Sequence, residues 1–136
     1  MKVNNELEEA LAARAYSKSY QPPDQERIFE IKGHLVGTLQ NIVVFSGLPK
    51  AGKSTFLSSA IASCFIPGDI LGMKINKPKG RNYVLHMDTE SSVFDFYKNA
   101  DRIKTAMQKN TMPAQYLGYH VRDFTPIQII ESVEYM

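Results

Sequence analysis

A short segment that contains two glycines constrains the fold of this chain more than any other stretch of its 136 residues. Residues 47–54 have the sequence Gly-Leu-Pro-Lys-Ala-Gly-Lys-Ser. Glycine permits backbone angles and close approaches that a Cβ would block, so such a turn can direct several backbone N–H groups at one anion. A strand has to lead into this turn, and a helix has to leave it. The segment therefore predicts a strand, an anion-binding turn and a helix in succession.

The eight residues fit G-x-x-x-x-G-K-[ST], the Walker A or P-loop pattern, in which the turn surrounds the phosphates of a nucleotide. Lys53 can reach the β- and γ-phosphates, and we therefore predict that it is a catalytic residue. Ser54 can offer its hydroxyl to Mg²⁺. A helix that begins at Lys53 adds its positive N-terminal end. We therefore predict a site for ATP and Mg²⁺. Its phosphate-binding residues are Gly47, Leu48, Pro49, Lys50, Ala51, Gly52, Lys53 and Ser54.

The residues on both sides of the motif have the patterns that a P-loop requires. Residues 41–46 form an apolar run rich in β-branched side chains, which predicts a strand buried on both faces in a parallel sheet. Residues 53–65 carry no charge after Lys53 and repeat apolar side chains at helical spacing, which predicts a helix packed against that sheet. The repeating positions are Leu57, Ile61 and Phe65.

The overall composition is that of a soluble globular domain, with 43% hydrophobic and 22% charged residues. A formal net charge of +2 gives no global basic field, so a nucleic-acid contact would need a local patch. The single cysteine, Cys64, excludes an internal disulfide and a cysteine-based zinc site, and we expect it to be a buried apolar residue. The N-terminus has no apolar leader segment, and no 18 apolar residues run together, which predicts a cytoplasmic protein.

Two elements are predicted before the motif. Residues 6–16 are rich in Glu, Leu, Ala and Arg and predict a short amphipathic helix, which a proline-containing linker follows. We assign residues 1–24 to this helix and linker, and residues 25–136 to the nucleotide-binding domain. Residues 27–40 place apolar side chains on both sides of Lys-Gly-His and predict a hairpin with His34 in its turn.

Residues 66–81 contain several glycines and prolines and predict a long connecting loop. This loop can be a solvated connection, or it can contact nucleic-acid phosphate. The lack of interleaved aromatic residues favours the solvated connection. Its clustered cations are Lys74, Lys77, Lys79 and Arg81.

A second apolar run, residues 82–88, predicts another buried strand, which ends at Asp88 and is followed by Thr89 and Glu90. Ligands of open α/β sheets lie beyond the carboxyl ends of strands, so both carboxylates are expected at the same edge as the P-loop. A carboxylate there can orient or deprotonate a water that attacks a γ-phosphate. Glu90 can equally be an acid favoured near a helix N-terminus, and its position alone leaves both roles open. His86, inside the strand, is interpreted as a core histidine.

The rest of the chain continues to alternate helix and strand. Ser92 and Asp95 indicate the cap of an amphipathic helix, and residues 116–124 predict a third strand. Thr125 and Pro126 then begin a capping box that opens a last helix. This order predicts an α/β fold with a mostly parallel sheet and right-handed crossovers.

Two motifs together resemble those of RecA-like ATPases: residues 47–55, Gly-Leu-Pro-Lys-Ala-Gly-Lys-Ser-Thr, and residues 84–90, Val-Leu-His-Met-Asp-Thr-Glu. In particular, they resemble the RepA/DnaB-like AAA-family ATPases of plasmids, phages and other mobile elements. The resemblance implies that Glu90 activates the attacking water and that Thr55 lies on the α-phosphate side. Asp88 is counted with Ser54 as a ligand of Mg²⁺.

The resemblance also implies a P-loop NTPase fold, a RecA-like, mostly parallel sheet flanked by helices. Members of the family have a Walker B strand after the helix that opens here at Thr125, and this sequence has no such run. We therefore expect residues 25–136 to be the N-terminal part of a domain that is incomplete at its C-terminus. A full-length form would be a homo-oligomer that couples ATP hydrolysis to DNA replication or unwinding, with DNA as its partner.

Two other functions share the P-loop. A small nucleotide or metabolite kinase would carry an arginine-rich lid, whereas only Arg102 and Arg122 follow Glu90 in this sequence. A nucleotide-binding assembly module would hold ATP without turnover. Release of phosphate to water, rather than its transfer to an acceptor, distinguishes the ATPase from the kinase.

Overall fold

The computed structural model describes residues 2–136, and their side chains from Asn5 onward. Within this range, no helix is long and apolar enough to cross a membrane. The predicted N-terminal helix is formed but begins and ends earlier than expected. The elements in chain order are α1 (Lys2–Ala12), β1 (Arg27–Ile31), β2 (His34–Thr38), α2 (Lys53–Ser63), β3 (Met73–Ile75), β4 (Val84–Asp88), α3 (Val93–Ala106), β5 (Tyr116–His120) and α4 (Pro126–Tyr135).

The first sheet is antiparallel and has the strand order β2-β1-β3. β1 and β2 form the predicted hairpin, and their connection, Lys32 and Gly33, has positive φ angles of 49° and 79°. Two consecutive positive φ angles are typical of a type I′ turn, whose twist matches that of the flanking strands. His34 is the first residue of β2 and does not lie in the turn. The hairpin is therefore confirmed, with His34 moved into a strand.

The third strand of this sheet, β3, lies inside the segment predicted as a loop. Met73 is 1% exposed and pairs with Ile31 of β1. The contact between this segment and β1 extends one residue beyond β3, because Asn76 Nδ2 donates to the Arg27 carbonyl at 3.1 Å. The prediction of a plain loop over residues 66–81 is therefore wrong in its middle. The glycines and prolines that predicted the loop flank this short strand and do not interrupt it.

The second sheet consists of the two parallel strands β4 and β5, which α3 connects. Their register aligns Val84 with Tyr116 and Asp88 with His120. Both strands therefore end at the same edge, as parallel pairing requires. β5 ends at His120, four residues before the predicted strand does.

Both predicted helix caps are confirmed. The Ser92 hydroxyl accepts a hydrogen bond from the Asp95 N–H at 3.1 Å at the start of α3. At the start of α4, Thr125 and Gln128 form a reciprocal capping box, and Pro126 is the first helical residue. Such caps satisfy backbone N–H groups that the helix itself cannot pair.

Residues 41–46, predicted as the buried strand before the P-loop, do not form a strand in the structure. Ile42 and Val44 are 91% and 81% exposed. Val43 alone is partly buried, against the cluster that contains Phe29 and Met73. A strand buried in a parallel sheet needs hydrogen-bonded neighbours on both sides, and residues 2–136 supply none here.

The predicted fold class is therefore wrong. The expected fold was a RecA-like P-loop NTPase with one mostly parallel sheet. The chain is a small α/β protein with a three-stranded antiparallel sheet and a two-stranded parallel sheet. The physical reason is that an apolar, β-branched composition favours extended backbone but does not specify the strand that will pair with it.

Helix α2 lies between two buried clusters. Its residues 58–63 are all buried, which explains why it carries no charge after Lys53. One cluster joins it to the antiparallel sheet, and the other joins it to α3. The first cluster contains Phe29, Ala60 and Met73. The second contains Ile61, Ala62, Ile103 and Met107.

Cys64, which follows α2, is partly buried rather than fully buried. Burial raises the pKa of its thiol to about 11 from an ordinary value of 9.0, although the Lys77 charge opposes this rise. Because the thiolate is the reactive form, alkylation by iodoacetamide at pH 8 is expected to be about a hundredfold slower than in unfolded chain. Mass spectrometry with and without denaturant measures both rates, and equal rates would contradict a buried thiol.

Candidate nucleotide-phosphate site

The P-loop segment forms an exposed turn that leads into α2. Gly52 precedes the helix with φ 84°, in the left-handed region that favours glycine. Lys50 also has a positive φ of 66°, and the Ala51 N–H donates to the Leu48 carbonyl at 3.1 Å. A Cβ at Gly47 would meet only ordinary van der Waals contacts, the nearest at 3.5 Å. The backbone angle therefore calls for glycine at position 52, while space does not demand it at position 47.

The first turn of α2 presents unpaired backbone N–H groups. No side chain in the described part of the chain caps this helix. Its first internal hydrogen bond runs from the Phe56 N–H to the Gly52 carbonyl at 2.9 Å. The N–H groups of Lys53, Ser54 and Thr55 therefore remain for an external acceptor. Because the helix dipole is positive at this end, a phosphate is a suitable acceptor.

A groove of about 330 Å³ extends from the start of α2 to the turn that follows β4. It brings Lys53 and Ser54 of the P-loop together with Asp88 and Glu90. Residues 47–52 and Thr55 do not line this groove, although they flank it in sequence. Other walls of the groove come from Phe45, Phe56, Leu57, Ser58, His86 and Asn99.

The Asp88 carboxylate shapes the turn that carries Glu90. Its Oδ1 accepts hydrogen bonds from the Glu90 N–H at 3.1 Å and the Ser91 N–H at 2.8 Å. Partial burial would raise the pKa of Asp88, but these hydrogen bonds and the nearby His86 outweigh it and hold the pKa below its usual range. Asp88 is therefore ionised at neutral pH and fixes the backbone on which Glu90 stands.

Glu90 lies exposed on the rim of the groove, and its carboxylate accepts no hydrogen bond from any residue whose side chain the structure describes. The alternative role for this side chain was that of an acid near a helix N-terminus. Asp95 occupies the first turn of α3, whereas Glu90 precedes the cap residue Ser92. The position of Glu90 therefore favours a role as hydrogen-bond acceptor for a ligand in the groove over an interaction with the dipole of α3.

His86 and Tyr116 form a hydrogen-bonded pair behind this turn. His86 Nδ1 lies 2.7 Å from the Tyr116 hydroxyl. Burial lowers the pKa of His86 against the opposing effect of the Asp88 charge. Burial, together with that same charge, raises the pKa of Tyr116 to about 12. Both groups are therefore neutral at pH 7, in line with the interpretation of His86 as a histidine satisfied by its neighbours.

Sequence reasoning missed two polar residues near the groove. His120, at the end of β5, places Nε2 2.8 Å from the Ser91 carbonyl. Asn99, on α3, is 8% exposed, and its Oδ1 accepts from Arg102 Nη1 at 2.7 Å. A guanidinium can only donate, so the amide NH₂ of Asn99 is the group left for the groove. Asn99 could have been found as a polar residue on the apolar stripe of α3, whereas His120 has no such signal.

A nucleotide-bound Mg²⁺ ion fits these residues. Mg²⁺ keeps several waters and uses one or two carboxylates in addition to phosphate oxygens. The Ser54 hydroxyl and the Asp88 carboxylate both line the groove and are suitable oxygen donors. No group of three or more His, Cys, Asp or Glu side chains in the described chain could hold a metal alone. In such a site the phosphates of the nucleotide would supply further oxygen ligands.

In the basic segment, one cation is engaged by the protein itself. Lys77 Nζ lies 4.9 Å from the centroid of the Phe65 ring and donates to the Asn82 carbonyl at 3.2 Å. Lys77 is therefore engaged by its own chain and is not a fully solvated cation.

Comparison with protein-family models, curated proteins and solved structures finds no match to this chain. A functional assignment therefore depends on the motif and on the geometry of the groove.

Proposed function

We propose that this chain is an ATP-binding P-loop module with ATPase activity. The observation that carries the proposal is the groove in which Lys53 and Ser54 lie together with Asp88 and Glu90. The start of α2 offers a cation and unpaired helix N–H groups, and the turn after β4 offers two carboxylates. Phosphoryl transfer to water needs such an arrangement, because catalysis consists mainly of positioning and of charge stabilisation.

Each of the four residues has a defined role in this proposal. Lys53 and the N–H groups of the first turn of α2 bind the β- and γ-phosphates. Ser54 and Asp88 would hold Mg²⁺, which neutralises charge on the phosphates. Glu90 orients a water and accepts its proton while the water oxygen bonds to the γ-phosphorus. The bond from that phosphorus to the β-phosphate oxygen breaks, which gives ADP and inorganic phosphate.

The link to DNA is a wider proposal, since it depends only on the resemblance to RepA/DnaB-like ATPases. In this proposal, a full-length, homo-oligomeric form couples hydrolysis to DNA replication or unwinding. The family assignment remains a prediction from two motifs, and a RecA-like sheet is not part of it. Stimulation of phosphate release by single-stranded DNA would support the link, and its absence with every DNA tested would count against it.

Thermal unfolding with Mg²⁺ and a non-hydrolysable ATP analogue tests the phosphate site directly. At a hundredfold excess over Kd, a ligand that binds only the folded chain stabilises it by about 2.7 kcal/mol. The native chain is expected to show this rise in melting temperature, and Lys53→Ala is expected to lose it. Loss of Lys53 removes the lysine that, in the P-loop pattern, reaches the β- and γ-phosphates.

Lys98→Ala is the matched control, because Lys98 is an exposed lysine of α3 outside the groove. It is expected to respond to the analogue as the native chain does. An equal rise in Lys53→Ala, or no rise in the native chain, would contradict the proposed phosphate site.

A further inference from the structure

A side chain from the second parallel strand reaches the turn that carries Glu90. His120 is the last residue of β5 and is aligned with Asp88 in the register of the sheet. Its Nε2 lies 2.8 Å from the Ser91 carbonyl oxygen. A carbonyl oxygen only accepts hydrogen bonds, so Nε2 carries the proton and donates it. The contact therefore links the end of β5 to the turn that follows β4.

The same turn is held from its other side by Asp88. The Asp88 carboxylate accepts hydrogen bonds from the N–H groups of Glu90 and Ser91, while His120 donates to the carbonyl of Ser91. Both backbone polar groups of Ser91 are thus engaged, directly after Glu90. The carboxylate of Glu90 has no hydrogen-bonded support of its own among the described side chains. Its position over the groove therefore depends on the backbone that Asp88 and His120 fix.

The imidazole of His120 is itself oriented by packing. It is partly buried, and its ring centroid lies 5.9 Å from that of Phe96 on α3. The centroid of the Phe96 ring also lies 5.9 Å from that of the His86 ring. Contact with Phe96 limits the directions that the His120 ring can take.

We infer that His120 is a positioning residue, which holds the Asp88–Ser91 turn through the Ser91 carbonyl and thereby places the Glu90 carboxylate for the reaction. This inference rests on the proposed function, because it gives Glu90 its catalytic role. His120 does not touch the nucleotide in this proposal. Its loss should therefore affect turnover and the local order of the turn, and should leave nucleotide binding unchanged.

A pair of variants separates the hydrogen bond from the volume of the side chain. His120→Gln keeps an N–H donor at a position similar to Nε2, and His120→Leu keeps bulk without a donor. His34→Leu is the control, since His34 is an exposed histidine of β2. Two readouts are needed: amide hydrogen exchange without nucleotide, and kcat and KM for ATP.

In His120→Leu, the amides of Glu90 and Ser91 are expected to exchange about tenfold faster, which corresponds to the loss of one hydrogen bond. The amides of β4 before the turn should keep their native rates. We expect kcat to fall on the order of 10²-fold, the effect of a misplaced catalytic group, with KM little changed. His120→Gln should recover most of both losses.

Unchanged exchange at Glu90 and Ser91 in His120→Leu would overturn the inference. So would faster exchange throughout β5 and α3, since this would show general destabilisation rather than a local hold on the turn. Faster local exchange with native kcat would also overturn it. Failure of the proposed function gives a different result. A native chain that neither binds nor hydrolyses ATP would contradict the proposed function, while hydrogen exchange would still show whether His120 holds the turn.

Discussion

Replacement of Glu90 by Gln is expected to lower ATP turnover by roughly 10²- to 10⁴-fold, the range for loss of a general base. The substitution keeps the size of the side chain and removes the carboxylate that, in the proposed mechanism, accepts the proton from water. ATP should bind as before, because in the proposed site the phosphates contact the P-loop and not Glu90. Phosphate release measures turnover, and the thermal shift with the ATP analogue measures binding.

Glu134→Gln is the control for this experiment, since Glu134 is an exposed acid on α4 that does not line the groove. Equal turnover in Glu90→Gln and the native chain would exclude Glu90 as the base. Absence of phosphate release by the native chain, with binding intact, would favour the non-hydrolysing assembly module. Transfer of phosphate to a small acceptor in place of water would favour the kinase.

Truncation of Ile103 to Ala is expected to destabilise the fold by about 2–5 kcal/mol. Ile103 has no exposed surface and lies in the cluster that joins α3 to α2. The variant loses the transfer free energy of the removed atoms and leaves a cavity that the two helices fill only in part. Since domains of this kind are stable by about 5–15 kcal/mol, this is a large fraction of the total. Urea unfolding measures the change.

Phe94→Ala is the matched variant on the same helix, because the Phe94 side chain is 74% exposed. It should change stability by no more than about 0.5 kcal/mol. If both variants lose the same stability, or Ile103→Ala loses less than about 1 kcal/mol, α2 and α3 do not pack as described here.

Features that depend on neighbours in sequence could be predicted. The hairpin around Lys32 and Gly33, although not the place of His34 in it, and the capping box at Thr125 each involve residues close to one another in sequence. The local backbone chemistry of these residue types suffices to specify them. The start of α2 at Lys53 belongs to the same class, because the motif itself contains the glycine that precedes the helix.

Features that depend on a distant partner could not be predicted in the same way. Residues 41–46 have a strand-like composition, yet the described chain places no strand beside them. β3 has only three residues, and it is a strand because β1 lies next to it. Composition reports the preference of a segment for extended backbone, whereas a strand also needs a neighbour.

The residues of the candidate site also differ in whether the sequence alone could predict them. The strand-end rule placed Asp88 and Glu90 near the P-loop from sequence alone, and all of the groove's carboxylates and its lysine were among the predicted residues. His120 was missed because its contact with Ser91 follows from the register of β4 and β5. The hydrogen bonds by which Asp88 forms the turn also could not be predicted, because they depend on the backbone geometry of residues 88–91.

The position of α2 between two clusters has a consequence for how the chain unfolds. The helix supplies Ala60 to the cluster with the antiparallel sheet and supplies Ile61 and Ala62 to the cluster with α3. The antiparallel sheet and α3 therefore both pack against the same eleven-residue helix. Unfolding of either partner would expose apolar surface of α2, and the other partner packs against the same helix. Heating should therefore produce one cooperative transition, and the Gly47–Gly52 turn that precedes α2 should lose its shape in that transition and not at a lower temperature.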